Sequence, residues 1–336
     1  MPEGVVSNDD LAVRLGLSAQ QIFKSSGIRR RRWASSGTTT SSLAALALRM
    51  ALEDARLDAS QVDYLILGTM TPDRFIPGTS PSVQQLAGLR EIPCLDIRAA
   101  CCNALYGLQV ARALVQSGAA RHVAICLAEI QSAWLDLSPE SGTLSMLFGD
   151  GASTLIVSAD SETDGKNGVA LEILDVQLAT DGSYVDDLGV RCPGTEFGIS
   201  NPHDKREQET GANRVDYRAR MNGQSVILHA SRKMVAVCQS LLQRNNVTVD
   251  EVRWLVPHQA NANLLAQVAR GLRFPPEYDG LVSVIEDFGN TSSASMGIAL
   301  DYLRQSGRLN AGDYLLLPAF GAGFTWGACL CRADPA

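Results

Sequence analysis

Apolar residues along this chain follow two patterns in alternation. Val62–Leu67, His122–Leu127, Thr154–Ser158 and Val169–Leu178 are short, nearly continuous apolar runs, as expected of strands covered on both faces. Other stretches space their apolar residues three and four apart, the period of a helix with one buried face. They predict helices at about Asn8–Leu15, around Ile22, at Ser41–Arg56 with a cap of serines, at Val83–Leu89 and at Val226–Arg244. The segment from Cys94 begins as a strand, passes Ala99 and Ala100, and becomes helical. There Leu105, Leu108, Ala111 and Val115 share a face, and Gly118 is placed to end the helix. Strands alternating with helices predict an α/β fold with sheets covered on both sides.

The pattern also repeats. A helix followed by Leu57–Leu67 is matched by a helix followed by Val247–Val256. Gln116-Ser117-Gly118 closes the helix after Cys101, and Gln305-Ser306-Gly307 closes the helix after Asn290, at the same distance from each. Phe148-Gly149-Asp150-Gly151 before one strand is matched by Phe320-Gly321-Ala322-Gly323 before Thr325–Cys331. The shared order implies two similar halves about a pseudo-twofold axis, 1–160 and 161–336, with Cys101 and Asn290 at equivalent strand-to-helix corners. Between the halves, Ala159–Asn222 is the least regular region, and its polar run Asn201–Thr210 reads as an exposed insertion.

Composition narrows the class. With 336 residues, 46% of them apolar, and a mean hydropathy near zero, the chain reads as a water-soluble globular protein. A net charge of −7 argues against nucleic acid as the main partner. The basic run Arg29–Arg32 therefore reads as a solvated or phosphate-contacting surface loop. No apolar run reaches membrane-spanning length, and the N-terminus shows no signal region, so a cytoplasmic location is expected. The eight cysteines show neither metal-ligand spacing nor a disulfide framework. Cys94, Cys126, Cys238, Cys329 and Cys331 read as small core residues, and Cys192 falls in a Pro/Gly-rich loop.

Three stretches carry candidate chemistry. Cys101 sits where a strand turns into a helix, and free N–H groups with the positive helix end are expected to favour its thiolate. A cysteine met alone is more often a buried packing residue. Trp254–Asn261, which contains His258, and Asp287–Ser295, which contains Asn290, alter that balance. A cysteine nucleophile with two donors able to act on a carbonyl oxygen is the inventory of covalent thioester chemistry. His122, His203 and His229 read as structural or solvated, and Cys102 as packing. A dinucleotide-binding oxidoreductase is excluded, because no Gly-x-Gly-x-x-Gly follows a first strand.

On Asp96–Cys101, Phe148–Ala152, Trp254–Asn261, Gly289–Ser295 and Phe320–Gly327, the sequence resembles the β-ketoacyl-acyl-carrier-protein synthase III condensing enzymes of the thiolase superfamily, over essentially its whole length. The resemblance implies a thiolase-like fold in five αβαβα layers and a homodimer. It implies a ping-pong reaction with no cofactor and no metal, whose substrates are an acyl-CoA or acyl-carrier-protein thioester and a malonyl thioester. Cys101 would carry the acyl group, and the N–H groups of Cys101 and Ala322 would hold its carbonyl oxygen. His258 and Asn290 would hold the enolate formed on decarboxylation. Ile76, Gly223, Asn261 and Phe320 would contact substrate, with Ile76 pushed into the partner's acyl pocket, and Arg270 and Arg273 would dock the carrier protein.

Three departures from the family stand out. The tryptophan that clamps the CoA adenine is Gln21 here, and no arginine occurs in Gln131–Asp150, so a carrier-borne or unusual acyl donor is expected. A docking arginine is replaced by Asn263. Members of the family have completed a first strand, read as central to the sheet, by the point where this chain reads Pro2–Asn8; the shortfall reads as one of numbering or gene start. Two alternatives stand beside decarboxylative condensation in fatty acid or polyketide-type biosynthesis. One is acyl transfer in specialised metabolism without CO₂ release, and the other is a non-catalytic subunit beside an active paralogue.

Overall fold

The two halves of the apolar pattern fold as two four-stranded sheets of one plan. The computed structural model describes residues 1–159, 169–190 and 219–335. In the first sheet the order is β4 (Cys94–Ile97), β3 (Tyr64–Gly68), β5 (His122–Glu129), β6 (Gly151–Ser158), parallel except for the last. In the second it is β10 (Val252–Leu255), β11 (Tyr314–Gly321), β12 (Thr325–Pro335), β7 (Val169–Thr180). There β10 and β11 are parallel and the others antiparallel. Thus β10, β11 and β12 repeat β3, β5 and β6. The counterpart of β4 shrinks to a single bridge between Leu255 and Leu281.

Alternation along the strands fixes the layers, because successive side chains leave a strand on opposite faces. Ile66, Val123, Ile125 and Leu127 join one core with Leu105, Leu108, Leu303, Leu315 and Leu317. Leu65, Leu67, Ala124 and Cys126 turn the other way onto α3 (Thr40–Ala55). In the second sheet Leu316, Ala328 and Leu330 face α7 (Gly223–Arg244) and α8 (Ala262–Gly271). The shared core holds α5 (Asn103–Gln116) and α10 (Ser295–Gln305) between the sheets, giving five layers. Their closeness to the strands requires glycine. A Cβ on Gly107 would stand 2.6 Å from the Ile125 side chain, and one on Gly297 would stand 2.4 Å from Ser153 Oγ.

Several expectations are corrected. A strand does form near the N-terminus, β1 (Gly4–Ser7), but it pairs with β2 (Arg30–Trp33) in a small sheet of its own. The place that β7 takes on β12 corresponds to the outer edge of β6, so the first strand read as central belongs at a sheet margin; among the described residues none pairs there. The Val83–Leu89 helix begins earlier, as α4 (Ser80–Leu86), and α3 is capped by Thr39, with Ser42 closing the reciprocal bond. Cys192, His203 and the polar run 201–210 lie outside the described residues. His122 starts β5 and bonds Ser158, while His229 on α7 lies 4.3 Å from the Tyr184 ring. Cys126, Cys238, Cys329 and Cys331 are buried core residues as expected, and Cys94 is half-buried.

The arginine run is the largest correction. It is no surface loop, because alternation in β2 sends its side chains opposite ways. Arg31 is fully buried, donating to Val6 O, Asn8 Oδ1 and Met146 O at 2.8–3.3 Å, and burial lowers its pKa to about 10. Its Cβ would lie 3.1 Å from a Cβ built on Gly149 or on Gly289. Arg29 and Arg30 stay exposed and pair with Glu286 and Asp287, on the short helix α9 (Ile285–Phe288) that leads to Asn290. The run therefore clamps the segment that carries a candidate site residue. Arg31→Ala, which strands two buried acceptors and one half-buried one and opens a cavity, should lower unfolding free energy by about 3–5 kcal/mol in denaturant titrations. Arg29→Ala and Arg30→Ala should each change it by less than about 1 kcal/mol.

Candidate active site

Cys101 and Asn290 stand on two turns of the same shape. After β4 the chain makes a single 3₁₀ turn, Ala100–Cys102, before α5; after Asn290 it makes another, Ser292–Ala294, before α10. Each turn places one non-glycine residue in the left-handed region, Ala100 at φ 49° and Ser292 at φ 50°. Such backbone is strained and persists where the surroundings over-determine it. The surroundings here are one another: Cys101 Sγ lies 3.6 Å from Ser292 Oγ. The end of β11 closes on the same spot, since a Cβ on Gly321 would come within 2.9 Å of the Cys101 nitrogen. Ala322 follows directly, and the buried Phe320 stacks at an angle on Phe324.

Hydrogen bonds assign how the other two side chains face. Asn290 Oδ1 accepts from Ser292 N–H at 2.8 Å, which leaves its Nδ2 as a donor with no partner among the described residues. Its backbone is held by Leu147 O and Gly149 N. His258 follows β10, and its N–H donates to Pro318 O on the neighbouring strand. His258 Nδ1 lies 2.7 Å from Ser295 Oγ. That oxygen also accepts from Gln259 N–H at 3.1 Å, and when its own proton is given to Nδ1 the ring carries its hydrogen on Nε2. Cys101, His258 and Asn290 are thus tied together through Ser292 and Ser295 on one segment.

Burial governs the charges. It raises the Cys101 thiol to about 11, against a lowering by Ser292, so the resting group is the thiol. The expected thiolate preference at the helix end is outweighed. Burial lowers His258 to about 4, so the ring is neutral at ordinary pH. It raises Glu129, at the end of β5, to about 7. Among the described residues, no group of three or more histidine, cysteine, aspartate or glutamate side chains could hold a metal ion.

The remaining predicted positions scatter. Gly223 opens α7, and among the described residues only Met221 Cε comes within 4 Å of an added Cβ. Asn261 caps α8 and donates to Ser25 O, so its amide is spent on joining α8 to α2 (Ala19–Ser26). Ile76 is 77% exposed, beside Phe75 at 72%. Arg270 and Arg273 are exposed at the far end of α8. Gln21 is engaged in the cap of α2 with Ser18, and Asn263 donates to Ser25 O. Sequence reasoning missed three residues of the site. Ser292 and Ser295 stood inside a quoted motif without roles, and Glu129 was legible as a lone charge ending an apolar strand.

Residues 95–182 match the model for 3-oxoacyl-[acyl-carrier-protein] synthase III, and residues 242–333 match the model for its C-terminal part. The β-ketoacyl-[acyl-carrier-protein] synthase III of Methylococcus capsulatus is 35% identical over 332 residues, 99% of this chain and 96% of its own. The chain belongs to the 3-oxoacyl-[acyl-carrier-protein] synthase III family. Its fold is thiolase-like, and it is a condensing acyltransferase of the synthase III type. The crystal structure of synthase III from Pseudomonas aeruginosa PAO1 is similar at TM-score 0.85 and 33% identity, covering 100% of this chain and 96% of that one. The priming β-ketosynthase of the R1128 polyketide pathway is similar at TM-score 0.85 and 29% identity, covering 100% and 94%.

The synthase III frame makes the Ser295 bond testable. In histidine-labelled protein, nitrogen NMR should show His258 with its hydrogen on Nε2. Ser295→Ala should lower turnover about tenfold to a hundredfold, the equivalent of one lost orienting bond, and should cost about 1–3 kcal/mol of stability because the buried Gln259 N–H loses its acceptor.

Proposed function

We propose that this synthase III uses Cys101 as its acyl carrier and His258 with Asn290 as its enolate site. An acyl group passes from a thioester to Cys101, with the carbonyl oxygen held by the N–H groups of Cys101 and Ala322. A malonyl thioester then loses CO₂, and the resulting carbanion attacks the acyl carbon. The enolate oxygen takes hydrogen bonds from His258 Nε2–H and Asn290 Nδ2–H. The observation that carries this reading is that both side chains have their other polar atom tied off, by Ser295 and by Ser292 N–H. A ring lowered to about 4 donates without surrendering its proton, which suits an oxyanion that must be released again as a carbonyl.

The acyl donor we infer is carrier-bound. Gln21 cannot stack on an adenine while it caps α2, and loss of a stacking pair costs on the order of 1–3 kcal/mol of nucleotide affinity. Arg270 and Arg273 supply positive charge for docking an acyl carrier protein, and Gly223 and Phe320 would border the acyl and pantetheine path. A homodimer is proposed on the edge of β4, unpaired among the described residues, together with exposed Phe75, Ile76 and Leu86, with Ile76 entering the partner's pocket. The halves 1–160 and 161–336 then supply the nucleophile and the donors respectively, in an enzyme of the cytoplasm.

Intact-protein mass spectrometry after mixing with acyl-CoAs and acyl-carrier proteins tests the assignment. Acylation should be faster from carriers and should vanish in Cys101→Ala; label on another cysteine in that variant would refute the nucleophile. His258→Ala and Asn290→Ala should acylate normally, while malonyl-dependent CO₂ release falls by about 10²–10³-fold in each. Sedimentation should give a dimer, and Ile76→Asp should weaken it.

A further inference from the structure

The two halves share a plan, but the second lacks most of one strand ladder. In the first half β3 pairs with β4 at four positions, Leu65–Gly68 with Cys94–Ile97, and the chain then enters the Cys101 turn. In the second half Leu255 N–H donates to Gly280 O and Val282 N–H donates to Leu255 O, around the single bridge at Leu281. Backbone pairing of β10 with this segment ends there. Yet the segment still has to be placed, because it runs through Val284 into α9 and on to Asn290.

A side chain continues the ladder where the backbone stops. Gln259, next to His258, is completely buried. Its Nε2 donates to Val282 O at 3.1 Å, and its Oε1 accepts from Val284 N–H at 2.9 Å. Those are the bonds that a strand residue opposite position 283 would make in a parallel ladder: its N–H to the residue before, its C=O to the residue after. The second Nε2 hydrogen goes to Pro257 O at 2.8 Å, which fixes the amide against its own loop. Two carbonyls on one side and an N–H on the other leave one orientation for the amide, with all its hydrogen-bonding atoms engaged. The backbone N–H of Gln259 meets Ser295 Oγ, the hydroxyl that lies 2.7 Å from His258 Nδ1. Gln259 thus joins the loop of His258, the segment leading to Asn290 and the start of α10. Asn290 is tied to the first half by Leu147 O and Gly149 N–H; Gln259 supplies the tie toward His258.

We infer that Gln259 is a positioning residue for decarboxylation, its side-chain amide setting the spacing between His258 and Asn290. The inference rests on those two side chains forming the enolate site. Two donors stabilise one oxyanion only when both stand at hydrogen-bond distance from the same point, so slack between their segments weakens both. Cys101 is placed by the longer ladder of β4 and does not depend on this amide. Gln259 acts through His258 and Asn290.

Gln259→Met keeps the volume and removes all three side-chain bonds; Gln259→Glu keeps the shape and removes both donors. The probes are butyryl- and malonyl-acyl-carrier protein. Acylation of Cys101, read by intact mass, should stay within about threefold of the wild type in both variants. Malonyl-dependent CO₂ release should fall about 30-fold to 100-fold, in kcat rather than KM. In the double variant His258→Ala with Gln259→Met, release should fall little further than in His258→Ala, because the two changes remove one shared effect. Unchanged release in either Gln259 variant overturns the inference, as does a double variant in which the two losses multiply. Equal loss of acylation and release in both Gln259 variants also overturns it, since Gln259 would then support the fold alone. Release slowed in Gln259→Met but not in His258→Ala or Asn290→Ala refutes the enolate site. Release slowed in those two but not in Gln259→Met refutes the role of Gln259 and leaves the proposed function standing.

Discussion

Two strained turns, each bracing the other, hold this site together. Ala100 and Ser292 adopt left-handed backbone that neither would choose alone, and each is kept there by a helix starting just beyond it. Those helices cannot move apart, because they are enclosed between two sheets and seated on Gly107 and Gly297. Everything else hangs on that contact. Asn290 is aimed by the N–H of Ser292, His258 by the hydroxyl of Ser295, and the end of β11 closes over Cys101 at Gly321.

Enclosure also sets the charges. One cause, removal from water, keeps the Cys101 thiol protonated, the His258 ring neutral and the Glu129 carboxyl easier to protonate. Their raised and lowered values point the same way, toward a site that carries little charge at rest. Such a site suits chemistry whose charge appears only in passing, because fixed donors then stabilise it without reorganising water.

The same architecture explains the buried arginine. A segment bearing Asn290 must be held from below as well as from the side, and the space beneath Gly149 and Gly289 admits a long cation only if backbone carbonyls face it. Arg31 meets that demand, while its neighbours Arg29 and Arg30 tie the preceding helix at the surface. Arg29, Arg30 and Arg31 thus divide a surface task from a buried one, because adjacent side chains in β2 point opposite ways.

The sequence by itself determined the period of each element, the duplication, and the three residues that the motifs singled out. These are local properties, because strand and helix period, glycine at a helix end and a cysteine at a corner are written in neighbouring positions. That is why β5, α5 and α7 and two halves of helix-covered sheet were legible, while the five-layered plan was implied by the resemblance to the family. The tertiary structure alone decided which face of β2 lies inward, where a margin strand would sit, and which groups stand around Cys101. Glu129 and Ser293 are far apart in the chain, and a hydrogen bond between distant segments leaves no trace in the pattern of either. Protonation is likewise decided by burial. A helix end promised a thiolate at Cys101, but only the folded packing removed enough water for the thiol to prevail.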